Sequence, residues 1–210
     1  MKLAILGGTG RTGVEVIKQA LEKGLTVTAL VRDIEKAKEK LPSSPELTLV
    51  QGDALEQSKV DQVVQGHDAV IVSLGGGLRG PDVEICSKAQ KLINHSVKKY
   101  NVRRMIVVSS IGVGDSWNSV SWITGFLLWL VLGRPLADKE IQEQQIREDL
   151  PEFDWTIVRP GQLTDTGLTG TYRTGFDLGS NRISRADVAH FILNQLESDE
   201  FHRQAPSIIY

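Results

Sequence analysis

Cysteine is almost missing from this chain. Among 210 residues there is one, Cys86, which excludes an internal disulfide and fits the usage of an intracellular, cytoplasmic protein. Its neighbours mark it as a small buried apolar residue rather than a nucleophile. Histidine is scarce as well: His67, His95, His190 and His202 are scattered without the spacing of metal ligands, so no metal centre is expected and all four read as structural or surface residues. An excess of charge of one sign is absent too. The formal net charge is -2 with both signs spread along the chain, which leaves no electrostatic footprint for nucleic acid or an anionic membrane. Any anion binding must be local. Long apolar runs are lacking: Trp117 to Leu136 comes nearest, but Asn118, Ser119, Ser121, Thr124 and two glycines interrupt it. Its unbroken part, Phe126 to Leu132, is too short to span a bilayer. There is no repeat, low-complexity tract or linker, and the sequence opens on a strand pattern, so no signal or transit peptide is expected ahead of the fold. With 40% hydrophobic residues, the expectation is a single domain, residues 1–210, with a sizeable core.

What is present is concentrated at the N-terminus. An apolar run, Leu3 to Leu6, meets Gly7-Gly8-Thr9-Gly10-Arg11-Thr12-Gly13 and then an amphipathic pattern, the order of a strand, a phosphate loop and a helix. Gly8, Gly10 and Gly13 satisfy one glycine spacing, Gly7, Gly10 and Gly13 a looser one, and the register stays open between them. Either way an early glycine permits the tight turn, Gly10 lets a pyrophosphate approach the backbone, and Gly13 lets the helix pack close to the strand with its N-terminus facing the anion. The expected ligand is a dinucleotide.

Helical and β-branched patterns then alternate, which predicts an α/β fold: a Rossmann-type doubly wound parallel sheet of order 3-2-1-4-5-6, helices on both faces, and a small C-terminal extension on the substrate side. The second strand, Thr26 to Val31, ends in Arg32. At that place a carboxylate favours a free 2'-hydroxyl and an arginine favours a 2'-phosphate, and planar guanidinium groups suit phosphate. Arg32, with Arg11 in the glycine loop, therefore points to NADPH, while Asp33 reads as the N-cap of a helix from Ile34 to Leu41. After the third strand come Gly52-Asp53-Ala54-Leu55, where Asp53 either accepts from the adenine amino group or closes a turn. The fourth strand ends at Leu74 and Gly75, and this glycine run leaves room for the cofactor across the switch point. The fifth, Arg104 to Ser110, ends in Ser109 and Ser110, placed for contact with the nicotinamide carboxamide or the substrate. Beyond it a helix over Ser119 to Gly133, apolar nearly all round, needs cover on several sides. It is buried under the C-terminal segment, serves as a subunit or partner contact, or walls a pocket for a large flat substrate. A separate polar helix follows from Leu136 to Leu150, then a sixth strand ending in Arg159-Pro160-Gly161. A small strand falls within Thr169 to Thr174. A capping box opens a helix at Ser184, and a last edge strand covers Pro206 to Tyr210.

Together Gly7 to Gly13, Val31-Arg32-Asp33, Val107-Val108-Ser109-Ser110 and Trp155 to Gly161 resemble the atypical short-chain dehydrogenases/reductases with an NAD(P)-binding, NmrA-like fold. The resemblance covers essentially the whole chain. Leu168 to Tyr172, Ile183 to Phe191 and Ala205-Pro206-Ser207 look most like the branch of biliverdin reductase B and flavin reductase. That likeness implies hydride transfer from NADPH to a flat aromatic or tetrapyrrole substrate, a flavin or a bilin. Two departures matter. Typical members place a tyrosine four residues before a lysine, whose charge lowers the phenol pKa; four before Lys139 stands Pro135, although Lys139, Glu143 and Ile146 keep the pattern of the atypical group. The branch also has a histidine shortly after the sixth-strand proline, where this chain has Gln162. Tyrosine-based carbonyl reduction is thus not expected, and the chain's task becomes positioning. The candidate catalytic residues are Ser109, Ser110 and Lys139, and Ser110, Pro160, Gln162 and Trp117 line the expected substrate pocket. Gly7, Gly8, Thr9, Gly10, Arg11, Thr12, Gly13, Arg32, Asp53, Ala54, Leu74, Gly75 and Ser109 hold NADP(H). The alternative is a non-catalytic NmrA-like redox sensor or assembly factor that binds NADP(H) and presents Trp117 to Leu136 to a protein partner or to a second copy. Epimerase chemistry is disfavoured, because the tyrosine and a long C-terminal substrate domain are both lacking.

Overall fold

A computed structural model describes residues 1–77, 81–119 and 122–210; the side chains of residues 81, 82 and 117–132 lie outside that description. Strands β1 (Lys2–Leu6), β2 (Thr26–Val31), β3 (Leu47–Gln51), β4 (Ala69–Val72), β5 (Arg104–Val108) and β6 (Asp154–Pro160) alternate with helices α1 (Arg11–Glu22), α2 (Ile34–Lys38), α3 (Gln57–Val64), α4 (Ile85–Lys99) and α5 (Trp122–Asp149). Then come β7 (Gln162–Thr164), β8 (Arg173–Gly175), β9 (Arg182–Ser184), α6 (Arg185–Asn194) and β10 (Ser207–Ile209). The main sheet runs β3-β2-β1-β4-β5-β6-β10-β8, and β7 pairs with β9 in a second, two-stranded sheet. The order 3-2-1-4-5-6 is the one the sequence predicts.

The pleat divides the core in two. Leu3, Ile5, Ala69, Ile71, Ile106 and Val108 face α1, α2 and α6, while Ala4, Leu6, Val70, Val72, Met105 and Val107 face α3, α4 and α5. Strands covered on both faces must be apolar on both, which is why β4 and β5 read as unbroken hydrophobic runs.

Four expectations need correction. Pro206 to Tyr210 is no edge strand: β10 lies parallel to β6 on one side and antiparallel to β8 on the other. The small strand falls at Arg173–Gly175 because the preceding Thr169 and Gly170 amides bond to the Asp187 carboxylate, at 3.1 and 2.8 Å, instead of entering a ladder. The capping box at Ser184 is half made. Ser184 Oγ accepts from Asp187 N at 2.9 Å, but Ser184 N donates to Tyr210 OH, and the buried Asp187 carboxylate also accepts from Tyr210 OH at 2.6 Å and from Thr169 Oγ1 at 3.0 Å.

The fourth correction concerns α5. Two helices were expected, split at Gly133-Arg134-Pro135, yet one helix runs from Trp122 to Asp149 with Pro135 inside it. A proline in a helix interior loses one backbone bond and costs about 3 kcal/mol. Tertiary anchors on the C-terminal half offset this. Asp138 accepts from the Cys86 and Ser87 amides at 2.9 and 3.0 Å, supplying the cap that α4 lacks in its own sequence. Gln142 donates to Gln90, Gln90 to Asn94 and Asn94 to Asp149, a polar ladder along the α4–α5 seam, while Ile146 and Leu150 are fully buried. Within the polar stretch Leu136 to Leu150, Asp138, Gln142 and Glu143 therefore face inward, while Glu140, Gln144, Arg147 and Glu148 stay exposed.

Asp61 ties α3 to α4. It accepts from Ser96 Oγ at 2.6 Å, Gln57 Nε2 at 2.9 Å and Lys99 Nζ at 2.6 Å. Desolvation would raise its pKa, but the hydrogen bonds from Lys99, Ser96 and Gln57 outweigh it and bring the value down to about 2. An unfolded aspartate titrates near ~3.9. The stability this cluster adds is thus fully present above pH ~4 and disappears as pH falls toward 2. Urea unfolding of the wild type should lose stability more steeply across that window than Asp61→Asn, and parallel acid limbs would show that the cluster adds nothing.

Candidate cofactor site

The loop between β1 and α1 is built by contact of backbone with backbone. Gly7 has φ +86°, and a Cβ there would lie 2.4 Å from the Ser73 carbonyl oxygen. A Cβ on Gly13 would lie 2.3 Å from the Gly7 carbonyl oxygen. Only glycine fits either place. At Gly8 the obstacle is the flexible end of Ile17, so the operative register is Gly7, Gly10, Gly13. Gly10 N donates to Gly7 O at 3.0 Å and Gly10 caps α1 without a side-chain hydrogen bond, and no acidic residue occupies the first turn. The first amides of α1 are left for an anion, with the helix dipole behind them.

These glycines open on a cavity of about 300 Å³ at the carboxyl edge of the sheet. Its walls are Gly7, Thr9 and Gly10; Leu30 and Arg32 at the end of β2; Lys40; Gly52 to Leu55 after β3; Ser73 to Gly75 after β4; and Ile85 at the start of α4. The crevice thus lies where β1 and β4 neighbour each other and the strand order reverses, the place where open α/β sheets take ligands. Asp53 closes a turn, accepting from Leu55 N at 2.9 Å, and also lines the cavity. Asp33 caps α2, accepting from Lys36 N at 3.1 Å. Lys40 is a cavity residue that sequence reasoning missed: the pattern predicts a helix running to Leu41, but α2 stops at Lys38 and Lys40 lines the cavity along with Arg32. Thr12 is buried in the first turn of α1. Arg11 pairs with Asp165, whose carboxylate also holds Arg185 at 2.6 Å, so the loop after β7 is clasped to the start of α1.

At the other end stands β5. Ser109 is 4% exposed and its Oγ donates to Glu143 Oε1 at 2.6 Å. Ser110 Oγ donates to Ile111 O at 2.9 Å, and Lys139 Nζ to the Val108 carbonyl at 2.8 Å. Lys139 and Glu143, one helical turn apart, thereby grip consecutive residues of the strand end. Glu143 is buried and accepts two bonds from Arg159, at 3.0 and 2.6 Å, and two from Arg147, both at 3.1 Å. Burial disfavours the Arg159 charge, but Glu143 and Asp115 outweigh it and raise its pKa. This carboxylate–guanidinium core was not foreseen as a site feature, although strand alternation puts Arg159 on the α5 face with Trp155 and Ile157. Pro160 is buried and Gln162 exposed at the start of β7; the Trp117 side chain lies outside the described residues. Cys86 is buried against Leu74, and desolvation pushes its thiol pKa up, which makes it inert. Among the described residues no cluster of His, Cys, Asp and Glu could hold a metal, and no helix is long and apolar enough to cross a membrane.

A family model for NAD(P)H-binding proteins matches residues 7–199. The chain belongs to the NAD(P)H-binding family. An uncharacterized chloroplastic protein of Arabidopsis thaliana is 29% identical over 206 residues, covering 95% of this chain and 73% of that protein. ChuY, an anaerobilin reductase of Escherichia coli O157:H7, superposes with a TM-score of 0.84 at 24% identity over 100% of this chain and 97% of its own. A short-chain dehydrogenase/reductase of Veillonella parvula in complex with NADP gives 0.80 at 19%, covering 100% and 94%. At these identities the two structures speak for the fold, that of NAD(P)H-binding oxidoreductases. The residues present fit the family's cofactor: a cradle that side chains would fill, free helix-end amides for a pyrophosphate, and cations at the adenosine end.

The glycines make separable demands. Gly13→Ala should cost about 2 kcal/mol or more, because backbone must move, lowering the melting temperature by roughly 5 °C. Gly10→Ala, whose Cβ would sit 3.3 Å from Gly7 O, should melt within about 2 °C of wild type yet lose NADPH affinity by calorimetry. Equal melting losses for both would refute the distinction.

Proposed function

We propose that this chain is an NADPH-dependent oxidoreductase that reduces a flat conjugated acceptor, a flavin such as FMN or a bilin. The observation that carries the reading is the state of the strand edge. The lysine that would tune a catalytic tyrosine is spent on a backbone carbonyl, Pro135 stands where the tyrosine would be, and the Ser109 proton goes to Glu143. Among the described residues no side chain at this edge is arranged to manage an alcohol proton. When bound, NADPH supplies the hydride, and a conjugated acceptor spreads the arriving charge over its own ring system and takes a proton from water. What the chain does is bind, orient and exclude water. Gly7, Gly10 and the amides of α1 receive the pyrophosphate. Arg32 and Lys40, both lining the cavity, receive the 2'-phosphate, and Thr9, Asp53, Ala54, Leu74 and Gly75 wall the rest. Ser110, Pro160 and Gln162 make the acceptor side; the side chain of Trp117, also expected there, lies outside the described residues. The fold shared with an anaerobilin reductase is what makes a tetrapyrrole worth testing beside FMN.

The same spent side chains support a second reading, a non-catalytic NADP(H) sensor or assembly factor. The two part on one measurement. NADPH oxidation should accelerate well above background when FMN or biliverdin is added; tight NADPH binding without acceptor reduction would select the sensor. The phosphate assignment has its own check: Arg32→Ala and Lys40→Ala should each weaken NADPH by about tenfold, the scale of one charge-assisted contact, while NADH changes little. Equal losses for both cofactors would overturn it.

A further inference from the structure

The segment that leaves β5 is fastened to the sheet at two points and braced internally at a third. Ile111 N donates to Pro160 O at 3.1 Å, next to the strand end. Ser116 Oγ accepts from the amides of Gly112 and Val113 at 3.0 and 3.1 Å, which braces the segment onto itself. Asp115 Oδ1 meets Arg159 Nη1 at 2.6 Å. The last contact is asymmetric: the Arg159 side chain is 3% exposed and that of Asp115 is 82%. Arg159 keeps its bidentate bond to Glu143 whatever Asp115 does, so the buried pair is satisfied by itself and the solvent-facing carboxylate is an added tie. It is nonetheless a charge-assisted bond to a desolvated cation, which makes it stronger than an ordinary surface ion pair. Glu143 is also the acceptor of the Ser109 proton. One carboxylate thus stands between the strand end and the segment.

We propose that Asp115 is a positioning residue: its carboxylate fastens residues 111–119 to the buried Glu143–Arg159 pair and so holds that segment against the strand end that carries Ser109 and Ser110. Loss of the tie loosens the segment without unfolding the protein, since Arg159 stays paired, Ile111 keeps its bond to Pro160 and Ser116 still braces the turn. The consequence for an acceptor follows from the proposed reductase activity and rests on it: a segment no longer held beside the hydride-receiving edge weakens acceptor binding while the glycine-loop end of the cofactor site is untouched.

The experiment compares wild type, Asp115→Asn and Asp115→Ala, each loaded with NADPH. Amide hydrogen exchange within residues 111–119 should rise by about tenfold in Asp115→Ala, the equivalent of one charge-assisted bond, and by less in Asp115→Asn, which keeps an acceptor for Arg159. Exchange in β1 and β4 should stay the same. In turnover, KM for FMN should rise in the same order, with kcat and the Kd for NADPH within about twofold of wild type. Equal exchange in all three proteins overturns the proposal, and so does faster exchange with an unchanged KM in a protein that turns over. If wild type reduces neither FMN nor biliverdin, the reductase reading has failed, and the exchange series alone decides whether Asp115 positions the segment.

Discussion

At the switch point of the sheet, backbone touches backbone: the Gly7 carbonyl against Gly13, and the Ser73 carbonyl against Gly7, at separations where a methyl group would overlap an oxygen. The rest of the site depends on this close approach. It sets α1 tightly on β1 and points the first amides of the helix over the carboxyl edge. It also brings the end of β4 across the crevice, so that Ser73, Leu74 and Gly75 form the opposite wall. The first amides of α1 are satisfied by no side chain of the cap, and donors of that kind cost no reorganisation when an anion arrives.

A second constraint holds the other end. α5 drives Lys139 and Glu143 into the sheet, and a buried carboxylate is tolerable there because Arg159, Arg147 and Ser109 all donate to it. Removing Glu143 or Arg159 would leave the other as a buried charge without its main counter-ion, the costly way to break such a pair. The arrangement has a chemical consequence. Among the described residues, the Ser109, Lys139 and Glu143 side chains at this edge are all committed to hydrogen bonds that hold it in place.

The strands were legible because burial on both faces forces continuous apolar runs, and the right-handed crossover then allows little choice of order. The cofactor end was legible for a related reason: glycines needed for close approach have no substitute. Less could be read where polar residues turn inward. The Leu136 to Leu150 stretch looks like a solvated helix in sequence, yet Asp138, Gln142 and Glu143 are buried, because their partners sit on α4 and β6, far away in the chain. Pro135 looks like a boundary and is not one, since a single lost hydrogen bond is outweighed by those contacts.

By itself the sequence determined the strand order, the existence of the phosphate loop and the arginine at the end of β2, because each follows from local sterics or from period-two burial. Tertiary structure alone decided which glycine makes the turn, that Lys40 joins Arg32 at the pocket, that β10 is an inner strand, and that Ser109 serves Glu143. Those are relations between distant segments. A hydrogen bond or a clash depends on distance in space, and separation along the chain does not fix that distance until the packing is known.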